Sequence, residues 1–127
     1  MQHIVAVDDS HVIRRLIEVS LDRLDVVVET VANGAEVCQR LREMPPDVLL
    51  LDIGLPDMDG WEVLSWVRAE PSLDGLPVIV LSGYSDAADR SRAEEEGVSG
   101  YLVKPFRPVD LRNAILDILP DPAPSTA

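Results

Sequence analysis

The sequence predicts an α/β fold in which a five-stranded parallel sheet has helices packed on both faces. Strand-like and helix-like segments alternate five times along the 127 residues, which is the pattern of a repeated βα unit. The run from Val48 to Leu51 is aliphatic throughout, which is typical of a parallel strand buried on both faces. Right-handed crossovers then distribute the helices over the two faces of the sheet.

The first unit begins with a predicted strand from Ile4 to Val7, which leads into a helix with Ser10 as its expected N-cap. An apolar stripe at helical spacing identifies that helix: Ile13, Leu16, Ile17, Ser20, Leu21 and Leu24. The β-branched segment from Val26 to Val31 is the second predicted strand, and the turn signal Asn33-Gly34 follows it. A short helix with Cys38 and Leu41 facing inward then ends at Pro45-Pro46.

After the third strand, Gly54, Pro56 and Gly60 predict a loop. Asp59 is expected to cap a third helix, whose inward positions are Val63, Leu64 and Val67, and residues 71–77 form a connector.

The fourth strand runs from Val78 to Leu81 and ends at Ser82-Gly83. A polar helix from about Asp86 to Glu96, with a weak apolar stripe at Ala88 and Ala93, closes at Gly97. The fifth strand is predicted from Gly100 to Lys104. Pro108 begins a last helix whose expected core positions are Leu111, Ile115, Ile118 and Leu119.

These elements predict the flavodoxin-like strand order 2-1-3-4-5, with a crevice where the order reverses, between the first and third strands. We expect one domain over residues 1–119 and a flexible, proline-rich tail over residues 120–127.

Composition narrows the class of protein. The net charge is −12, from 23 acidic and 11 basic residues, which argues against nucleic acid as a partner because phosphate backbones bind Lys and Arg. The longest apolar runs fall short of the roughly 20 residues that span a bilayer, and there is no secretory signal pattern. Cys38 is the only cysteine, so no disulfide forms within the chain. We expect a cytoplasmic protein that has no membrane partner.

Reactive side chains follow the ends of the predicted strands. Asp8-Asp9, Asp52 and Ser82 come after the first, third and fourth strands, and Lys104 ends the fifth, so all should meet at one edge of the sheet. Three close carboxylates repel one another unless a cation is present, and Mg²⁺ is the hard divalent ion that such oxygens bind. The set predicts phosphoryl transfer onto Asp52 as the nucleophile, with the Ser82 hydroxyl and the Lys104 ammonium facing phosphoryl oxygens.

The chain closely resembles the receiver domain of bacterial two-component response regulators. The resemblance covers residues 2 to about 119 and rests on Asp8-Asp9, Asp52, the segment from Leu55 to Gly60, Ser82-Gly83 and the segment from Lys104 to Phe106. It implies that Asp52 accepts a phosphoryl group from a phosphohistidine on a sensor histidine kinase or a histidine phosphotransferase.

By the same resemblance, Asp8, Asp9, Asp52 and the Gly54 carbonyl bind Mg²⁺, for which Mn²⁺ is expected to substitute. Ser82 and Tyr101 are the implied switch residues, Lys104 binds the phosphoryl group, and the peptide bond before Pro105 is cis. Such a protein is a phosphoacceptor with self-catalysed phosphoryl transfer and autodephosphorylation, and is not otherwise an enzyme. Its expected output is binding of a downstream protein, or of a second copy, through the fourth helix, fifth strand and fifth helix. We expect a stand-alone receiver of the chemotaxis or phosphorelay kind, although a receiver excised from a longer protein would look alike.

Three alternatives remain at this point. A flavodoxin shares the topology, but Asp8-Asp9 would repel the phosphate of its cofactor. A phosphatase of the haloacid dehalogenase superfamily also uses a strand-end aspartate and Mg²⁺, but typically has a second acid where this chain has Gly54. The third alternative is a pseudo-receiver that acts as an interaction module without phosphorylation.

Overall fold

The structure, a computed structural model, describes residues 2–83 and 87–119. Five parallel strands form one sheet in the order β2-β1-β3-β4-β5, which confirms the predicted fold class. The strands are β1 (Gln2–Val7), β2 (Val26–Val31), β3 (Val48–Asp52), β4 (Val78–Ser82) and β5 (Gly100–Val103). The helices are α1 (His11–Leu21), α2 (Gly34–Glu43), α3 (Gly60–Ala69), α4 (Ala87–Glu95) and α5 (Pro108–Ile118), with a 3-10 turn at Pro71–Leu73 in the predicted connector. The predicted tail, residues 120–127, lies outside the described residues.

The sheet has a separate apolar core on each face. Alternate residues of β3 point to opposite sides, so Leu49 and Leu51 pack with α2 and α3, whereas Leu50 packs with α1 and α5. Every residue of β3 is buried, as its continuous aliphatic run predicts. Both faces of the central strand are therefore fixed by packing, and the position of the carboxyl end of β3 is fixed with them.

Polar side chains cap three helices on the side where the strands end. Ser10 Oγ accepts a hydrogen bond from Ile13 N at the start of α1, and Asp59 Oδ1 accepts one from Trp61 N at the start of α3. Both predicted N-caps are confirmed. Asn33 Oδ1 accepts from Glu36 N, so the Asn33-Gly34 signal marks the start of α2 itself instead of a separate turn.

Two predictions of element boundaries and one of burial need correction. Leu24 is buried but lies three residues beyond the end of α1, where its amide donates to the carbonyl of Leu21. Ala88 is exposed, so the predicted stripe of α4 reduces to the buried Ala93. Lys104 follows β5 and is not part of it. The predicted start of α4, Asp86, lies outside the described residues.

Among the described residues, no helix combines the length and the apolar character needed to cross a bilayer.

Candidate functional site

The parallel register brings the reactive strand ends to one edge of the sheet. Val7 lies beside Leu51, Asp52 beside Leu81, and Ser82 beside Val103. The residues that follow β1, end β3 and β4, and follow β5 are therefore neighbours. One carboxylate oxygen from each of Asp8, Asp9 and Asp52 lies within 4.8 Å of the others.

Two of the three carboxylates are buried. Asp8 is 0% and Asp52 is 2% exposed, whereas Asp9 is exposed. Asp8 Oδ1 accepts a hydrogen bond from Ser10 N at 2.9 Å, and its Oδ2 accepts one from Lys104 Nζ at 2.9 Å. The buried charge of Asp8 is thus balanced by the helix that follows β1 and by the lysine that follows β5.

The two oxygens of Asp52 have different surroundings. Oδ1 accepts a hydrogen bond from Gly54 N at 2.9 Å, which orients the carboxylate. Oδ2 lies 3.3 Å from Lys104 Nζ, close enough for an ion pair but outside hydrogen-bond geometry. Within the described part of the chain, this buried oxygen therefore accepts no hydrogen bond. A buried acceptor of this kind has a free lone pair for a ligand or a reacting atom.

Burial and neighbouring charge shift the ionisation of this group of side chains. Burial raises the pKa of Asp52 above its ordinary value, with the charge of Asp8 acting the same way, while the Gly54 amide and Lys104 oppose them. Burial alone would lower the pKa of Lys104, but its hydrogen bond to Asp8 and the charges of Asp8 and Asp52 raise it overall. Lys104 is thus held as a cation between two carboxylates.

The other site residues predicted from the sequence lie around this centre. Ser82 is buried at the end of β4, and its carbonyl accepts a hydrogen bond from Lys104 N at 2.7 Å. The Lys104–Pro105 peptide bond is cis. Tyr101 is half-buried on β5, packs against the core on the α2 and α3 face, and has the Arg90 guanidinium 5.0 Å from its ring centroid.

A cleft of about 520 Å³ opens over the carboxylates. Its lining includes three side chains with no functional role predicted from the sequence: Trp61 of α3, Asp89 of α4 and Ile53. Trp61 lies two residues after the predicted cap Asp59, and this spacing is a sequence signal that could have placed it near the site. Asp89 has no such signal, because it comes near the cleft only through the position of α4. Gly54 and Gly83 also line the cleft, and among the described residues a Cβ on Gly83 would meet nothing within 4 Å.

The donor set fits a hard divalent cation. Three carboxylates converge, and one buried oxygen of Asp52 accepts no hydrogen bond from the described residues. Oxygen ligands of this kind suit Mg²⁺, which would also relieve their mutual repulsion.

Known proteins share both the sequence and the fold. The family model for the response regulator receiver domain matches residues 4–116. The transcriptional regulatory protein GltR of Pseudomonas aeruginosa is 40% identical over 116 residues, which cover 91% of this chain and 48% of that protein. The chain thus spans about half the length of this relative.

Two solved structures extend the comparison. Chemotaxis response regulator CheY4 of Vibrio cholerae is 30% identical with a TM-score of 0.86, over 94% of this chain and 99% of that one. The receiver domain of sensor histidine kinase PA1611 from P. aeruginosa is 28% identical with a TM-score of 0.84, and the match covers 94% of this chain and 98% of that structure's chain. That structure has a magnesium ion coordinated in its active site cleft.

Proposed function

This chain belongs to the family of response regulator receiver domains, and from that premise we propose that it is a signalling switch activated by phosphorylation of Asp52. The single observation that carries the proposal is the buried carboxylate of Asp52, whose Oδ2 accepts no hydrogen bond from the described residues and faces Lys104 at 3.3 Å. The remaining contacts support a phosphoacceptor: one oxygen is held in place, the other is available, and a cation stands beside it.

In the proposed reaction, Asp52 Oδ2 attacks the phosphorus atom of a phosphohistidine on a sensor histidine kinase or histidine phosphotransferase. The new O–P bond forms as the P–N bond breaks, and the electron pair of that bond leaves with the imidazole. The Gly54 amide holds Oδ1 during the attack. The Lys104 ammonium is proposed to stabilise the negative charge on the phosphoryl oxygens, and the Ser82 hydroxyl is the second group proposed to bind them. Hydrolysis of the acyl phosphate by water would return the switch to its initial state.

Asp8, Asp9, Asp52 and the Gly54 carbonyl are the proposed ligands of Mg²⁺, or of Mn²⁺ in its place. When bound, the ion neutralises charge on the carboxylates and on the incoming phosphoryl oxygens.

The proposed output is a change in the surface formed by α4, β5 and α5. Phosphorylation adds negative charge that Ser82 and Lys104 can bind, which should draw the end of β4 inward and allow Tyr101 to rotate. A downstream protein or a second copy of this chain would then dock on the altered surface. We assign this switch to residues 1–119, with residues 120–127 as the tail.

The test is uptake of phosphate from acetyl phosphate with and without Mg²⁺, followed by intact mass. We expect the wild-type protein to gain one phosphoryl group only with the metal present, and Asp52→Asn, which keeps the shape and removes the nucleophile, to gain none. Asp117→Asn, on the exposed side of α5, is the control and should behave as wild type. Uptake by Asp52→Asn at the wild-type rate would overturn the assignment, and a wild-type protein inert under all conditions would favour the pseudo-receiver.

A further inference from the structure

The loop between β3 and α3 is attached to the start of α2 by one carboxylate. Asp57 Oδ1 accepts a hydrogen bond from Gly34 N at 2.8 Å, and Asp57 Oδ2 accepts one from Ala35 N at 3.0 Å. These two hydrogen bonds lower the pKa of Asp57, so the group is held as an anion. A negative charge at the first amides of a helix is favoured by the helix dipole as well as by the hydrogen bonds.

Packing reinforces this attachment. A Cβ placed on Gly34 would lie 2.3 Å from Met58 Cγ and 2.4 Å from Met58 Sδ, so the loop lies directly against the backbone of α2. At the other end of the loop, Gly60 N donates to Ile53 O at 3.1 Å. A Cβ on Gly60 would lie 2.3 Å from Ile53 Cα, which leaves no space for a side chain there. The loop is thus closed at its base and attached to α2 at residues 57–58.

The same loop carries the groups that orient the phosphoacceptor. Gly54 N donates to Asp52 Oδ1, and Ile53, Gly54 and Asp59 line the cleft. Neither Asp57 nor Met58 lines it. We propose that Asp57 is a positioning residue, which holds the β3–α3 loop against α2 and thereby holds the Gly54 backbone at Asp52. Any effect of Asp57 on Mg²⁺ binding or phosphoryl transfer rests on the function proposed above, whereas its effect on the position of the Gly54 backbone does not.

The competing explanation is that Asp57 only caps α2, and the chain offers a matched control for it. Asn33 caps the same helix through Oδ1, which accepts from Glu36 N at 2.9 Å. Both Asn33→Ala and Asp57→Ala remove a cap from α2, and each should lower the melting temperature by about 3–6 °C. Only Asp57→Ala releases the loop.

The experiment compares wild type, Asp57→Ala, Asp57→Asn and Asn33→Ala in two measurements on the folded protein. The first is amide hydrogen exchange of Gly54 without metal. We expect faster exchange in Asp57→Ala, an intermediate rate in Asp57→Asn, which keeps one acceptor oxygen without the charge, and the wild-type rate in Asn33→Ala. The second is the dissociation constant of Mg²⁺ followed by tryptophan fluorescence, since Trp61 lines the cleft. Here Asp57→Ala should bind about three- to tenfold more weakly, at or below the lower end of the range for losing an outer-shell partner of a metal ligand.

The outcomes separate the two proposals. Equal Gly54 exchange in Asp57→Ala and Asn33→Ala would overturn the positioning role, whatever the metal does. If wild type bound no Mg²⁺ while Asp57→Ala still exchanged the Gly54 amide faster than wild type, the proposed function would fail and the positioning role would stand.

Gly34→Ala provides a second route if Asp57→Ala unfolds. Its methyl group would lie 2.3 Å from Met58 Cγ and 3.3 Å from Asp57 Oδ1, so it would push both side chains away from α2 while leaving the Asn33 cap intact. Alanine also favours the helix over glycine. Faster Gly54 exchange in a protein whose α2 is not destabilised would support the proposal, and an unchanged rate would count against it.

Discussion

At the scale of single residues, the site has an excess of negative charge. Three carboxylates, Asp8, Asp9 and Asp52, share one ammonium, Lys104, which lies 2.9 Å from Asp8 Oδ2 and 3.3 Å from Asp52 Oδ2. Lys104 makes its hydrogen bond to Asp8 and lies farther from Asp52. Burial, with the charge of Asp8 acting in the same direction, leaves the pKa of Asp52 raised in spite of the Gly54 amide and the lysine.

The raised pKa of Asp52 predicts a pH-dependent stability difference in the absence of metal. A carboxyl whose pKa is higher in the folded state stabilises the fold below its unfolded value, here about 3.8, and that contribution is lost as pH rises through the folded value. With a chelator at neutral pH, Asp52→Asn should therefore be more stable than wild type, and the difference should shrink as pH falls towards 3.8. Urea unfolding across this range measures it, with Asp117→Asn as the control. A variant less stable than wild type at neutral pH would contradict the pKa direction.

The sequence predicted some site residues and not others, for a physical reason. Asp8, Asp9 and Asp52 follow buried strands, and parallel strands end at one edge, so their convergence follows from topology. Asp57 was not singled out for its contact with α2, because that contact joins residues 22 and 23 positions apart through a loop geometry that no local pattern encodes.

At the scale of elements, α4 differs from the other helices in how it is held. Ala93 is its one buried side chain among those described. Two stacked guanidinium groups supplement it: Arg90 lies 5.0 Å from the centroid of Tyr101 on β5, and Arg92 lies 4.7 Å from that of Trp61 on α3.

The predicted contribution of Ala88 to the apolar stripe of α4 was wrong because the polar sequence of this helix defines no clear apolar face. The error at Leu24 has a different origin, since a helical spacing in the sequence continues past the residue where the helix ends.

The stacked arginines predict that α4 can be loosened without disturbing the core. A cation–π contact at a partly exposed site is worth about 0.5–1 kcal/mol, so Arg92→Ala should speed amide exchange over residues 87–95 by about two- to fivefold. Arg42→Ala is the matched control, because it removes a similar stack, 5.1 Å from the Trp66 centroid, that joins α2 to α3. Equal effects of the two variants on α4 would show that Arg92 does not hold the helix.

At the scale of the whole molecule, strand order and the two cores were predictable because alternating βα units and buried strands leave few topologies.

The net charge of −12, with three carboxylates gathered at one crevice, means that a bound cation should stabilise the folded state as a whole. Mg²⁺ at ten times its dissociation constant should stabilise the fold by about 1.4 kcal/mol, or raise the melting temperature by about 4–8 °C. Thermal unfolding with Mg²⁺ and with a chelator tests this, with Asp9→Asn expected to show a smaller rise. A melting temperature indifferent to millimolar Mg²⁺ would argue against the metal site.

The proposed switch also predicts how far a change at Asp52 travels. α4 rests on few buried contacts, and Tyr101 lies between Arg90 and the core, so a shift at the end of β4 can reach both. A phosphoryl group should move the population between two pre-existing states by a few kcal/mol at most. We therefore expect beryllofluoride, which mimics the phosphoryl group, to change amide chemical shifts across residues 87–112 as well as around Asp52. In Asp52→Asn the same addition should change nothing. Shift changes confined to residues 52–60, with none in α4 or β5, would mean that the signal stops at the site.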